Sequence, residues 1–398
     1  MSMPSAFRRA GIVGGSIGTI LIGITCLVCN MKILNGLNFV KEKKITDYSS
    51  MVEAVFKKSK SGQHRKYAKL ARIAINYFLV TASFGYCAVY LLFCSEMAYQ
   101  VVNSYFPMDY PLFYYQITMG IVFLFISLVT SMRILSIVSY TTAVFTIVSY
   151  GFILAYLQYE IVPIENLKLF PDGFDSVLCL GTALFGLCGG MLIVPISSRL
   201  KHPEEYRRWD GSHAAAQMAL TLVFILVGFF GYVRYGHEAG LLLPLLPRHW
   251  FFDLIKSLWF LNVATFYNIS TGILIDVFWL PVKKSGRIKG RHLLILSEAS
   301  FRTLLVALTT ILTIFVPCLE QWISLVGSFS TSGINLLLPP IIDYIVDINK
   351  ENRSRFFILK QILNIILFTL GILAATGGTF EAVIEMNNQM NSPKGCYK

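Results

Sequence analysis

The chain is a series of long apolar stretches separated by shorter polar connections. A membrane span needs about 20 apolar residues, which cover about 30 Å of hydrocarbon at about 1.5 Å per residue. Ten stretches approach that length without strict two-residue alternation, so the pattern predicts helices rather than strands. The ten predicted spans are residues 12–34, 73–101, 111–130, 134–156, 176–196, 214–233, 252–277, 293–316, 323–346 and 357–376. Residues 1–10 are apolar but too short to cross a bilayer alone.

Composition narrows the class of protein further. Hydrophobic residues make up 55% of the 398 residues and charged residues only 14%, against about 25% charged residues in an average soluble domain. A soluble globule cannot bury that share of apolar surface, so we expect an all-α, multi-pass integral membrane protein in a lipid bilayer.

The net charge of +12 is distributed along the chain in a regular way. Lys and Arg concentrate in every second connection, at residues 35–72, 197–213, 281–292 and 347–360, whereas the connections between them are nearly free of basic residues. This alternation predicts that the basic connections are cytoplasmic. The charge therefore indicates orientation, and we expect no nucleic acid partner, because the chain offers no soluble face for one.

The cysteines do not predict a metal site. Most of the eight lie inside predicted spans, where a small apolar thiol is the expected role. Cys26 and Cys29 form a Cys-x-x-Cys pair within one helix, but no second pair accompanies it. We expect neither a metal nor a cofactor.

One predicted span contains a glycine cluster in its middle. Residues 181–190 include Gly181, Gly186, Gly189 and Gly190, and Pro195 follows. Each glycine disfavours a helix by about 1 kcal/mol relative to alanine. Freed backbone at membrane depth is tolerated where it lines a cavity or is buried in protein. The cluster therefore predicts either a break that holds a substrate or a close helix contact through small residues.

Other polar positions give weaker indications. Glu96, Asp276 and Glu298 lie within or near the ends of spans, and intramembrane carboxylates are candidates for function. Asp276 and Glu298 are close enough to a span end to be interface residues. The hydroxyl-rich residues 328–333 are either a helix contact or the lining of a pathway. All six histidines lie in or beside connections, which leaves no imidazole inside a span to carry protons.

Several segments, in the right order, resemble one family. Residues 1–11 resemble the end of its first-helix motif, and residues 76–80 and 95–102 are similar to its third helix. Residues 182–203 align without a gap on its sixth-helix pattern, and residues 324–330 with Pro339 and Pro340 match its tenth helix. On these segments the chain resembles the amino acid/auxin permease superfamily, and within it the animal proton-coupled amino acid transporters.

The resemblance implies a fold, a function and a membrane. The fold is the 11-helix inverted-repeat transporter fold of the LeuT and APC type, with helices one and six broken at the substrate site and the first helix only partial here. Residues 1–383 would be the transporter domain and residues 384–398 a short tail. The function would be secondary active transport of small neutral amino acids by alternating access, with protons as a candidate coupling ion, in the plasma membrane or an endosomal or lysosomal membrane.

The resemblance also implies a substrate site made of backbone from the two broken helices. Phe185 would pack on the substrate side chain, and the glycines after it would let the chain turn its amides inward. Tyr267 and Ser328 would contribute from later helices. The expected substrate-binding residues are Ser2, Met3, Pro4, Ser5, Phe185, Gly186, Leu187, Cys188, Gly189, Gly190, Tyr267 and Ser328.

Departures from the family pattern concern the start of the chain and its carboxylates. The sequence begins inside the first-helix motif, so we expect it to be N-terminally truncated. Cys188 replaces the glutamate of the sixth-helix pattern, its two later acidic positions are Ser197 and Arg199, and residues 266–271 lack the proline and carboxylate expected in helix eight. The helix-two histidine is also missing. We therefore expect weakened or rerouted proton coupling, with Glu96 as the candidate that is kept.

Two other classes of protein remain open from the sequence. A non-transporting amino acid sensor of the same fold would keep the backbone scaffold without the carboxylates. A membrane chemoreceptor would have similar length and basic connections but about seven spans. An enzyme is not expected, because no nucleophile, base and oxyanion donor converge in any connection.

Overall fold

The computed structural model describes residues 1–40, 45–106, 110–129, 132–159, 161–163, 167–170, 175–284, 290–350 and 356–391. Regular secondary structure in these ranges is entirely helical. The helices are α1 (Met3–Ala10), α2 (Ile12–Val40), α3 (Tyr48–Lys58), α4 (Gly62–Tyr105), α5 (Leu112–Ser127), α6 (Met132–Leu157), α7 (Asp175–Leu187), α8 (Gly190–Arg199), α9 (Pro203–Tyr206), α10 (Ser212–Tyr235), α11 (Leu242–Leu245), α12 (Trp250–Lys284), α13 (Arg291–Phe315), α14 (Leu319–Val326), α15 (Leu338–Asn349), α16 (Phe357–Leu373) and α17 (Thr379–Met390).

The membrane-spanning character predicted from the apolar pattern is confirmed. Nine helical segments in the described part of the chain are long and apolar enough to cross a membrane, and α5 is a shorter apolar helix of 16 residues. Each of the ten predicted spans coincides with one of these ten segments. The chain is a multi-pass integral membrane protein.

Several helices extend well beyond the apolar stretch that predicts them. Helix α4 has 44 residues and begins at Gly62 rather than at residue 73. At about 1.5 Å per residue it is about 66 Å long, roughly twice the thickness of the hydrocarbon layer. Its polar first turns therefore project out of the membrane. The last segment likewise continues through α17 to Met390, past the predicted domain boundary at residue 383.

A short amphipathic helix, α3, follows the first span and was not among the predicted elements. Asp47 caps it by accepting a hydrogen bond from the Ser50 amide at 2.9 Å. Its buried face packs against α2 and α4 and consists of Tyr48, Ser49, Met51, Val52 and Val55. On its outer side Lys57 and Arg72 both pair with Glu53. The hydrogen bond from Lys57, with the second from Arg72, lowers the pKa of the Glu53 carboxyl.

Three of the four basic connections meet at one end of the bundle. Arg207 donates to the side chain of Asn38 at 2.7 Å, which joins α2 to the connection after α8. The Lys60 amide donates to Asn349 at 2.6 Å, which joins the start of α4 to the end of α15. We call the end that carries Asn38, Lys60, Arg207 and Asn349 the basic face. The alternating charge pattern predicts that these basic connections lie at the same end of the bundle.

An apolar cluster lies directly above the basic face. It combines the second half of α2 with α3, α8 and α15. We call it the basic-side cluster; its buried members include Ile33, Leu34, Leu37, Met51, Val52, Ile193, Val194, Ile342, Ile345 and Val346. Buried side chains of α4 also belong to the cluster, so apolar packing occupies the space between these helices on the side of the basic face.

Candidate functional site

The predicted break in the glycine-rich span is present. Helix α7 ends at Leu187 and α8 begins at Gly190, which leaves Cys188 and Gly189 outside regular helix. The break lies in the middle of an otherwise continuous apolar segment that runs from Cys179 to Arg199. Two local hydrogen bonds remain, from the Cys188 amide to the Leu184 carbonyl at 3.1 Å and from the Leu192 amide to the Gly189 carbonyl at 3.0 Å. Backbone groups that lose their helical partners at such a break need others.

Neighbouring helices supply two of these partners. Gln217 of α10 donates to the Leu187 carbonyl at 3.0 Å, and Asn335 accepts from the Gly190 amide at 2.9 Å. Gly189, between them, is exposed, and a Cβ placed on it would meet no atom within 4 Å. The break is therefore held on both sides and open at Gly189.

Asn335 is a functional candidate that the sequence analysis missed. Its side chain is 1% exposed and also donates to the Thr331 carbonyl at 2.9 Å. A Cβ on Gly190 would overlap the Asn335 oxygen, which explains why glycine occupies that position. In the sequence, the feature that could have indicated Asn335 is an amide side chain inside an apolar span, shortly before Pro339 and Pro340.

Asn335 belongs to an irregular part of its span. The helix between α14 and α15 adopts π-helical turns at Gly327–Thr331 and Gly333–Leu337, a form often found at functional sites. Ser330 donates to the Thr81 hydroxyl at 3.0 Å, and Thr331 lies 3.1 Å from the Tyr86 hydroxyl. The helix-contact interpretation of residues 328–333 therefore holds for Ser330 and Thr331.

Ser328 lies at a close contact between helices rather than at the open side of the break. Its hydroxyl is buried and has no hydrogen-bond partner among the residues that the structure describes. It points at Gly181 of α7, where an added Cβ would overlap it, and a Cβ on Gly327 would overlap the Gly181 carbonyl. Gly181 thus serves the helix contact that the sequence left open as an alternative for this cluster.

Aromatic rings extend from the break toward α12. The rings of Phe185 and Tyr86 have centroids 4.7 Å apart, Tyr86 and Tyr90 are 6.0 Å apart, and Tyr90 and Phe266 are 6.3 Å apart. We call Phe185, Tyr86, Tyr90 and Phe266 the aromatic row. It gives the break an apolar wall on the side of α4.

Tyr267, the predicted contributor from α12, lies away from this row. Its ring stacks on Phe123 of α5 at 4.3 Å, and its hydroxyl lies 3.1 Å from that of Thr309 on α13. The side chain is fully buried between those helices. The structure therefore places its neighbour Phe266, rather than Tyr267, beside Tyr90 of the aromatic row.

The first-helix candidates, residues 2–5, lie on α1 and at its start. Helix α1 packs against α7 and α10, with Met3, Pro4 and Ser5 buried and Pro4 close to Gly231. The Met1 carbonyl accepts a hydrogen bond from the Leu242 amide at 3.0 Å. Within the described ranges, hydrogen bonds do not join Ser2, Met3, Pro4 or Ser5 to residues 185–190.

The expectation that Cys26 and Cys188 are free apolar thiols is wrong. They form a disulfide between α2 and the break, across 162 positions of sequence, because their Cα atoms lie 5.7 Å apart where the two elements meet. Cys188, in the predicted substrate site, is therefore tied to α2. Cys29, Cys87, Cys94 and Cys179 are free and buried, as an apolar role predicts.

The predicted carboxylates have different environments. Glu96 is half-buried on α4 and makes no hydrogen bond to a described residue. The negative charge of Glu320 acts on its carboxyl by electrostatic repulsion. Glu320 in turn pairs with Arg8 and Arg9 at 3.5 and 3.4 Å. Glu298 pairs with Arg302 at 2.9 Å.

Asp276 is exposed on α12. Its exposure fits the interface position that the sequence left open for it. Among the three predicted carboxylates, Glu96 alone combines partial burial with the absence of a described cationic partner.

A second group of charges was not singled out from the sequence. Lys32 of α2 and Asp343 of α15 form a buried ion pair at 2.6 Å. Each is a single charge in a long apolar stretch, which a search for spans passes over because one charge does not interrupt the pattern.

Comparison with known proteins identifies the family. The family model described as "Transmembrane amino acid transporter protein" matches residues 1–384. The chain belongs to this family. It is 25% identical to "Proton-coupled amino acid transporter-like protein pathetic" of Drosophila melanogaster, over 97% of this chain and 81% of that protein. It is 21% identical to "Probable amino acid transporter skat-1" of Caenorhabditis elegans, over 98% of this chain and 87% of that protein.

Membership of the transmembrane amino acid transporter family confirms the resemblance found in the sequence. It does not favour the chemoreceptor alternative, which predicts about seven spans, whereas the described part of this chain contains nine candidate spans and the shorter α5. Family members are transporters rather than enzymes, in agreement with the expectation from the connections.

Replacing Asn335 tests whether it supports the break. In Asn335→Ala the Gly190 amide is left buried without an acceptor, which costs about 1–3 kcal/mol of unfolding free energy. Asn38→Ala, on the basic face, removes a more exposed amide contact and should cost less than about 0.5 kcal/mol. Thermal unfolding of both variants in the same lipid nanodiscs measures the difference; equal midpoints would contradict the role of Asn335.

Proposed function

We propose that this chain is a secondary active transporter of amino acids that works by alternating access, with the substrate held at the break between α7 and α8. The observation that carries the proposal is Gly189. It lies between two backbone groups that Gln217 and Asn335 already satisfy, yet it faces open space itself. The Gly189 carbonyl accepts from the Leu192 amide at 3.0 Å, whereas the Gly189 amide has no partner among the described residues. An open amide in that setting can bind the carboxylate of an amino acid without a charged side chain.

The surroundings of the break favour a neutral substrate side chain. The described partners of the break are the amides Gln217 and Asn335, and Phe185 connects it to the aromatic row. A charged substrate side chain would be desolvated there without an opposite charge beside it. We therefore propose small neutral amino acids as the substrate class, as the family resemblance also implies.

The number and order of the helices support the inverted-repeat fold of the LeuT and APC type. Helix α1 supplies the partial first helix, and the ten spans follow in sequence. In that fold the first broken helix faces the sixth across the substrate, and α1 packs along α7 here. Residues 2–5 remain proposed contributors from the side of α1. Tyr267 and Ser328 are proposed to support the site from behind the residues that line it.

Glu96 is the proposed proton-coupling group. Its carboxyl is half-buried and lacks a cationic partner in the described part of the chain, so it can exchange a proton without breaking an ion pair. Its neighbour Glu320 already pairs with Arg8 and Arg9. The name of the Drosophila relative includes proton coupling, which supports a coupled mechanism for this chain but names no residue.

Gly189→Leu tests the position of the substrate. The added side chain enters the open space at the break, so uptake of neutral amino acids should fall by at least about tenfold while membrane insertion is unchanged. Gly18→Leu is the matched control, because a Cβ at Gly18 in α2 also meets nothing within 4 Å. Uptake by Gly189→Leu equal to that of Gly18→Leu would contradict the placement.

Glu96→Gln tests proton coupling. If the proton is carried at Glu96, an inward pH gradient stimulates accumulation of the amino acid by the native chain but not by the variant, because glutamine does not titrate. Glu204→Gln, an exposed position on α9, should respond like the native chain. If the pH gradient still stimulates uptake by Glu96→Gln, another group carries the proton. If the native chain binds the amino acid but does not take it up, the amino acid sensor is favoured.

A further inference from the structure

Three helices meet at a buried group of charges on the basic-face side of the break. The Lys32 ammonium lies 2.6 Å from Asp343 and 2.7 Å from the side-chain oxygen of Asn364 on α16. The three side chains are 5%, 1% and 5% exposed. Lys360, one turn before Asn364, approaches the other Asp343 oxygen at 3.5 Å and pairs with Asp347 at 2.8 Å.

Stability alone does not account for these charges. Ionisable side chains at membrane depth are rare and costly, and they usually mark a functional pathway. Apolar residues of similar volume often stabilise a buried site as well as an ion pair or better. The basic-side cluster around Lys32 and Asp343 is such an apolar setting, and a leucine and a methionine would complete it. The pair therefore calls for a role other than packing.

The two spans joined by the pair both contact the break. On α2, Ile33 follows Lys32 and lies 3.4 Å from where a Gly190 Cβ would be, and Cys26 is bonded to Cys188. On the other side, Asn335 accepts from the Gly190 amide roughly two turns before Asp343. The pair thus lies between the break and the basic face, at the crossing of the elements that separate them.

We propose that Lys32, Asp343 and Asn364 form a clasp that closes the path from the break to the basic face and separates each time that face opens. This inference rests on the proposed function, because it assumes that the break becomes accessible from the basic face.

An ion pair suits this task better than an apolar contact. In the closed state the surroundings are dry and the attraction between the charges is strong. In the open state water enters and solvates each ion, whereas parted apolar surfaces would be left in contact with water. Both states are then accessible. In the closed state, the three side chains fix the positions of α2, α15 and α16 relative to one another.

Neutral variants test the clasp by hydrogen–deuterium exchange of the full chain in lipid nanodiscs. Lys32→Met keeps most of the apolar stem and Asp343→Asn keeps the shape, but each removes one charge. Amides in the second half of α2, in α8 and in α15 should exchange at least about tenfold faster, because the open population rises. Amides of α5 and α13 should exchange as in the native chain.

Two further variants serve as controls. Lys350→Met removes a half-exposed lysine that pairs with Asp347 outside the clasp, and it should leave exchange in these helices unchanged. Lys32→Arg retains the positive charge and can donate to Asp343, so its exchange should stay closer to native than that of either neutral variant, although the guanidinium is larger than the ammonium it replaces.

Three results would overturn the clasp. The first is native exchange in both neutral variants. The second is faster exchange spread evenly over α5 and α13, which would indicate a structural role. The third is accumulation of Lys32→Arg in the membrane when neither neutral variant accumulates, which would assign the pair to folding. Hydrogen–deuterium exchange is measured without any uptake assay. A native chain that transports no amino acid would therefore overturn the proposed function, and the exchange experiment could still be carried out and interpreted.

Discussion

Backbone polar groups inside a bilayer must find partners within the protein, and most of this structure follows from how one break in a helix meets that constraint. A continuous helix satisfies its own amides and carbonyls. Between Leu187 and Gly190 that is not possible, so Gln217 and Asn335 reach in from two other helices. The π-helical turns around Asn335 and the glycines of α7 are the local adjustments that bring these helices close enough. The Gly189 carbonyl accepts from the Leu192 amide, so the Gly189 amide, which has no hydrogen-bond partner among the described residues, is the group that a substrate can use.

The same constraint explains where side chains of each kind lie. Small residues permit the approach of α7 to the π-helical segment, as at Gly181 and Gly327. Aromatic rings form the wall on the side of α4, and charges are kept away from the break itself. One buried pair of charges, Lys32 with Asp343, lies further along α2 and α15 and joins two spans that contact the break. The described partners of the break are thus neutral, with a charged pair beside it.

Sequence patterns predict those features that depend on neighbours along the chain. The apolar stretches predict the ten spans, the alternating basic connections predict their common face, and the glycine cluster predicts the break. Features that depend on contacts across the fold were not accessible. Cys26 and Cys188 are 162 positions apart, so their bond appears only when α2 is packed against the break. Tyr267 and Phe266 are adjacent in sequence, and only helix rotation decides which one lies beside Tyr90. Asn335, Lys32 and Asp343 are single polar residues whose importance lies in their partners.

The proposed function depends on an amino acid that binds at the open amide of Gly189, beside the aromatic row. An experimental structure of the chain in lipid nanodiscs with a small neutral amino acid at saturating concentration would locate it. We expect density for the bound amino acid against Gly189, with its side chain toward Phe185 and Tyr86. An amino acid bound elsewhere in the bundle, with the space at Gly189 empty or filled by protein, would contradict it.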